Sequence, residues 1–153
     1  MREWRKQDDM KQLRKKQYLR ASFRCGMCGQ EASLVTLVLA GQADPRVRPQ
    51  TPGIPTGVSM LKSDIPRLSI DGGPVTFTIG VGNESLQLVR DALLAKDAAG
   101  LHAINEEFTP FWCPECGCCY CELHYTSKVI RDLGFFDSIW GKCPKGHSRK
   151  LID

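Results

Sequence analysis

The residues equipped for chemistry are eight cysteines and two of the three histidines. By spacing they fall into four pairs: Cys25/Cys28, Cys113/Cys116, Cys121/His124 and Cys143/His147. Eight ligands of this kind make two tetrahedral sites, and Zn²⁺ is the ion suited to S₄ or S₃N sets. A Cys-x-x-Cys turn lets two thiolates reach one ion without strain, and its backbone amides can hydrogen-bond the sulfurs. Cys113-Pro-Glu-Cys116-Gly is such a knuckle, with Gly117 free to take a positive φ. Cys143-Pro-Lys-Gly-His147 is a looser version closed by an imidazole. Cys118 and Cys119 are left over, as filler, as an alternative ligand, or as a nucleophilic or redox thiol.

With all eight ligands used, both ions are saturated. A saturated zinc has no position open to water or substrate and is structural. The chain has no GxSxG elbow, HExxH, phosphate-binding glycine loop or dinucleotide fingerprint. Glu106, Glu107 and Glu115 fall near the cysteine-rich stretch, with nothing pairing them as acid and base. The pattern predicts recognition, in which two structural Zn²⁺ ions stiffen a surface for another macromolecule.

Ligands so far apart must be gathered by a folded chain. At 153 residues this is one domain, or a small domain with an appendage. A hydrophobic content of 42% supports an ordinary core, but residues 111–153 alone are too few to build one, so metal binding would supply folding free energy there. Met1 is followed by charged residues and no run of 18 apolar residues exists, so neither a secretory signal nor a membrane span is expected. Many cysteines without an export signal suggest the cytoplasm and metal rather than disulfides. Residues 1–24 hold nine Lys/Arg against three Asp/Glu, and the remainder twelve against fourteen. The picture is a near-neutral body with a basic arm.

The expected architecture is a small α+β fold in which a two-zinc module is split in sequence. Residues 1–24 form a basic arm, helical over 2–20 with a thin stripe at Trp4, Met10, Leu13 and Leu19. Residues 25–32 hold the first knuckle. Residues 33–110 form an α+β insertion, opening with a strand over 33–40. It continues through a proline-rich loop at 41–66, expected to be mobile. A hairpin follows, 67–71 and 74–80 about Gly72-Gly73. A helix over 84–95 is capped by Asn83, with an apolar face that includes Leu88 and Val89. Asp97 caps a shorter helix through Ile104, and His102 on it reads as a surface or half-buried residue. Residues 111–153 are the C-terminal zinc module, in which Phe111 and Trp112 supply core beside Cys113. Strands at 127–133 and 137–142 return the chain to Cys143.

Cys116-Gly-Cys118-Cys-Tyr-Cys121-Glu-Leu-His124 resembles the centre of a RING finger, which reads Cys-Gly-His-x-Phe-Cys-x-x-Cys-Leu. Cys25-Gly-Met-Cys28 resembles that family's first knuckle and Cys143-Pro-Lys-Gly-His147 its last. The resemblance spans about 50 residues and extends to bacterial RING-like ubiquitin ligases of ubiquitin-like conjugation operons. It implies a cross-brace: Cys25, Cys28, Cys121 and His124 on one ion, and Cys113, Cys116, Cys143 and His147 on the other. It implies a partner surface at Met27 and Pro144, with Trp140 or Phe135 as a further apolar contact and Arg149 as the basic linchpin. The chain departs from the family in three ways. The first two pairs are separated by 84 residues, Cys118 could replace Cys113, and His147 stands for a cysteine with one extra residue in its loop.

The resemblance implies a scaffold that binds a charged ubiquitin-conjugating-like enzyme and its ubiquitin-like protein and orients the thioester. The alternatives are a nucleic-acid-binding zinc protein and a structural subunit of a larger complex. The near-neutral charge of 111–147 argues against phosphate tracking.

Overall fold

A computed structural model describes residues 18–42 and 64–153. The first 17 residues, holding most of the expected helix 2–20, and residues 43–63, the centre of the expected loop, lie outside the described residues. Where the expected helix can be checked, at 18–20, it is replaced by strand. Leu19, Ala21 and Phe23 alternate toward one side, and Ala21 and Phe23 are buried. That period of two suits a sheet edge, whereas the neighbouring charges had suggested a helix.

Four antiparallel strands follow one another across the first sheet: β1 (Tyr18–Arg24), β2 (Glu31–Val38), β3 (Arg67–Asp71) and β4 (Phe77–Gly80). Val35 lies opposite Ala21 and Ile70, and Leu37 opposite Leu19 and Leu68. Directly opposed residues share a face, so these side chains form one apolar surface. The β3–β4 connection is longer than the expected two-residue turn, because pairing stops at Ile70–Phe77. Its Gly73, at φ +74°, passes so close to the chain that a Cβ would lie 2.8 Å from that of Phe111.

Helices α1 (Leu86–Leu94) and α2 (Ala98–Ile104) cover that surface with Val89, Leu93 and Leu101. Ser85, not Asn83, stands at the N-terminus of α1, and Leu88 faces solvent rather than the core. Asp97 caps α2 as expected, accepting from the Gly100 amide at 2.9 Å.

A 3-10 turn at Glu106–Phe108 leads into a short hairpin, β5 (Trp112–Cys113) and β6 (Cys118–Cys119). A three-stranded antiparallel sheet ends the chain: β7 (Thr126–Asp132), β8 (Phe135–Lys142) and β9 (Ser148–Ile152). The β7 and β8 strands fall where the sequence suggested. Leu133 and Gly134 join them in a two-residue turn with both φ positive, the primed geometry that matches strand twist. β9 was not anticipated.

Among the described residues there are two packed clusters. One is the sheet–helix core. The other gathers the buried cysteines with Tyr120, Tyr125 and Leu151. Phe111 belongs to the first, with its ring 5.0 Å from that of Phe23, rather than to the metal module. It leads directly into Trp112 and Cys113, so the main core fixes where the second knuckle starts.

Candidate metal centres

Backbone geometry builds each knuckle. The first is the turn of the β1–β2 hairpin. There the Gly29 amide donates to the Cys25 carbonyl at 2.9 Å, and the Met27 amide lies 3.4 Å from Cys25 Sγ. In the second, Gly117 donates to the Cys113 carbonyl at 2.8 Å with φ +65°, the left-handed role expected for it. The Gly26 amide donates to the Cys119 carbonyl at 2.8 Å, so the two knuckles are locked side by side. The β7–β8 hairpin and β9 bracket the last one, where Gly146 donates to the Cys143 carbonyl at 3.0 Å.

Eight side chains converge in two groups: Cys25, Cys28, Cys121 and His124, and Cys113, Cys116, Cys143 and His147. In each group the ligand atoms all lie within 4.8 Å of one another. The pairs interleave, first with third and second with fourth, although the first pair is far from the rest in sequence. Cys113, not Cys118, completes the second group.

The separations can be tested against a metal. Tetrahedral Zn²⁺ with Zn–S about 2.3 Å and Zn–N about 2.0–2.1 Å has edges of roughly 3.8 Å between sulfurs and 3.5 Å between sulfur and nitrogen. Cys28 and Cys121 sulfurs are 3.7 Å apart, and those of Cys116 and Cys143 3.8 Å. Cys25 Sγ is 3.6 Å from His124 Nδ1, and Cys113 Sγ 3.6 Å from His147 Nδ1. These contacts are far longer than the ~2.05 Å of a disulfide. Each group could hold a metal ion, and the geometry is compatible with zinc.

The thiols sit in contrasting environments. Burial is the largest influence on Cys25 and pushes it up, but amides at Cys121, Cys28 and Met27 outweigh it and bring it to about 6. In the second group burial likewise opposes the amides of His147 and Lys145, and Cys143 comes down to about 7. Burial wins at Cys113, which rises to about 11. Each group therefore contains one thiol, Cys25 or Cys143, whose ionised form its surroundings favour. The spare Cys119 is pushed up to about 12 by burial, which makes it a poor nucleophile.

Residues 15–153 match a family model described as Domain of unknown function (DUF8328). The chain belongs to this family. Neither the curated proteins nor the solved structures give a match.

Around the two centres of this DUF8328 domain, the other expected site residues fall in three places. Met27, in the first knuckle, is 59% exposed, and Pro144, in the last, is exposed too. Phe135 and Trp140 are exposed on β8, on the hairpin that leaves the His124 knuckle. Arg149 is turned inward. Its Nη2 donates to the Thr109 carbonyl and, at 2.9 Å, to that of Trp112. The RING resemblance implies a basic linchpin at Arg149; its position on β9 puts the side chain on the side of that sheet facing the body. His102 is half-buried, 3.0 Å from the Thr109 hydroxyl, and takes no part in either centre.

Two supporting residues escaped the sequence reading. Glu115 Oε2 lies 3.0 Å from His147 Nε2. Leu123, inside the Cys121/His124 pair, is 77% exposed. Glu115 was visible as an acid within the second knuckle. Its partner could be named only once His147 was placed.

Proposed function

We propose that the chain is a two-zinc cross-brace adaptor that docks a partner protein on its knuckle face. In its specific form the partner is a ubiquitin-conjugating-like enzyme carrying a ubiquitin-like protein. The observation that carries this reading is the interleaving of the four ligand pairs into two Cys₃His groups. Interleaved sites tie distant segments into one rigid unit, and sulfur-rich tetrahedral sets favour zinc.

The knuckle loops supply the docking chemistry. Their thiolates point in, so the side chains between them project out. Met27 and Leu123 lie in loops of the same ligand group, and both are exposed apolar side chains. Exposed apolar patches mark interaction sites. Arg149 is held by two carbonyls, so the proposed face consists of Met27, Leu123 and Pro144. The adaptor provides no nucleophile and acts by orientation.

The test is discharge of a thioester-charged conjugating enzyme with and without the protein. Accelerated discharge that Met27→Arg abolishes, with two zinc ions per chain retained, supports the reading. If no conjugating enzyme binds or is discharged faster, the ligase form falls. A metal content other than two zinc ions removes the cross-brace itself.

A further inference from the structure

The last sheet presents an aromatic side chain between lysines. In the register of β7, β8 and β9, Trp140 lies directly opposite Lys128 on one side and Lys150 on the other. Two residues along, Lys142 lies opposite Thr126 and Ser148. Residues two apart in a strand point the same way, so these six side chains share one face. It is the face away from the body, since a Cβ on the intervening Gly141 would strike Tyr125 and Leu151. Trp140 is 41% exposed, and a groove of about 290 Å³ runs past it between Lys128 and Lys142.

The charged residues among these six are all lysines. None of the six residues is acidic, and among the described residues neither Lys128 nor Lys142 has an ion pair. Carboxylates gather at the Lys150 edge alone: Asp153 lies 3.4 Å from Lys150 Nζ, and Glu106 and Glu107 line a pocket with both. The hairpin's own acids, Asp132 and Asp137, sit toward its turn. A charge count over 111–147 averages these two ends and misses the segregation.

We propose that this face binds single-stranded nucleic acid, with a base stacked on Trp140 and neighbouring phosphates neutralised by Lys128, Lys142 and Lys150. An indole gives a flat π-surface that every base can use, and flanking ammonium groups follow the backbone. A protein partner fits less well, because interface cores are depleted in lysine. The segment 1–17, with seven Lys/Arg against three acids, carries charge of the same sign as this face and adds attraction for the same polyanion. The proposal does not depend on the knuckle-face reading, since it uses a different surface.

The experiment is fluorescence anisotropy of the zinc-loaded full chain with labelled oligothymidylate and oligouridylate of about 15 nucleotides, a length covering one such site. Binding should weaken with salt. Three neutralised phosphates correspond to a log–log slope of about −2, at about −0.7 per phosphate on a single strand. Trp140→Ala should weaken binding about five-fold or more. The double variant Lys128→Glu, Lys142→Glu should weaken it and flatten the slope. Both variants should keep the metal content and far-UV spectrum of the parent, which separates lost contacts from lost folding. Unchanged affinity in both variants would overturn the proposal and assign any binding to the basic arm. So would absence of binding at low salt, equal affinity for duplex of the same length, or binding confined to an acidic peptide.

Discussion

Nε2 of His147 lies 3.0 Å from Oε2 of Glu115, and Nδ1 of the same ring lies 3.2 Å from Cys116 Sγ. One nitrogen is thus held by a carboxylate while the other faces the thiols. A carboxylate behind a ligating imidazole fixes its tautomer and raises its basicity. Removing such a partner costs about 10- to 100-fold in metal affinity. Glu115 is 65% exposed, so Glu115→Ala should fall near the ten-fold end. Chelator competition measures it, and only one of the two ions should be released more easily. Equal loss of both, or of neither, would deny Glu115 this role.

Gly141 is required by packing rather than by backbone conformation. A Cβ there would lie 2.5 Å from the Tyr125 ring and 2.6 Å from Leu151, both buried. Gly141→Ala must push β8 away from this cluster and should cost about 1–3 kcal/mol, the usual range for overpacking. Thermal unfolding of the zinc-loaded protein is the readout. A neutral substitution would mean the sheet moves freely over its cluster.

Arg149 joins β9 to the chain entering the second knuckle. Arg149→Ala would leave the carbonyls of Thr109 and Trp112 without this donor, costing about 2 kcal/mol for hydrogen bonds from a charged group. Arg149→Lys should recover only part of that, because an ammonium lacks the planar fork that spans two acceptors. Denaturant midpoints of both variants are the measurement. Full stability in Arg149→Ala would free the residue for the linchpin role that the RING resemblance implies.

The same guanidinium influences His102. Burial lowers the pKa of His102 below its usual 6.5, and Arg149 lowers it further, against an opposing pull from Glu106. Folding thus favours the neutral ring. As pH falls past about 6.5, the unfolded chain takes up the proton first. This contribution to stability is therefore complete above that pH and lost as pH drops toward the folded value. A proton NMR titration of the ring tests the shift directly, free of the metal release that acid also causes. A midpoint at or above 6.5 would contradict it.

Local chemistry with a fixed spacing was legible in the sequence. The ligand pairs, the Asp97 cap, the left-handed Gly117 and strands β7 and β8 all rest on contacts within a few residues. What was missed depends on partners far along the chain. β1 adjoins a run of charges, and only pairing with β2 reveals its period of two. β9 opens on three polar residues, Ser148, Arg149 and Lys150, and has one fully buried residue, Leu151. Leu88 was assigned to the core because helical spacing permits it, yet the sheet lies on the other side of α1. Cys113 and Cys118 are interchangeable on spacing, and only the placement of Cys116, Cys143 and His147 around Cys113 decides between them.

The two clusters should respond differently to metal removal. The sheet–helix core is built from Val35, Leu37, Leu68, Ile70, Val89 and Leu101, none of them a ligand. The other cluster consists largely of ligands and their neighbours. Without ions in its two ligand groups, the thiols there retain little apolar area to hold the four ligand pairs together, since metal binding free energy is folding free energy in such modules. Chelation should therefore release the amides of β7 to β9 to rapid hydrogen exchange. Those of β2 and β3, the two central strands, should stay protected. The first knuckle is the exception, because it is the turn of the β1–β2 hairpin and is held from both sides by strand pairing. Its amides should open locally while Phe23 stays packed on Phe111. Simultaneous loss of protection in β2, β3 and β8 would mean that the metals hold the entire chain, and that Phe111 transmits their loss into the main core.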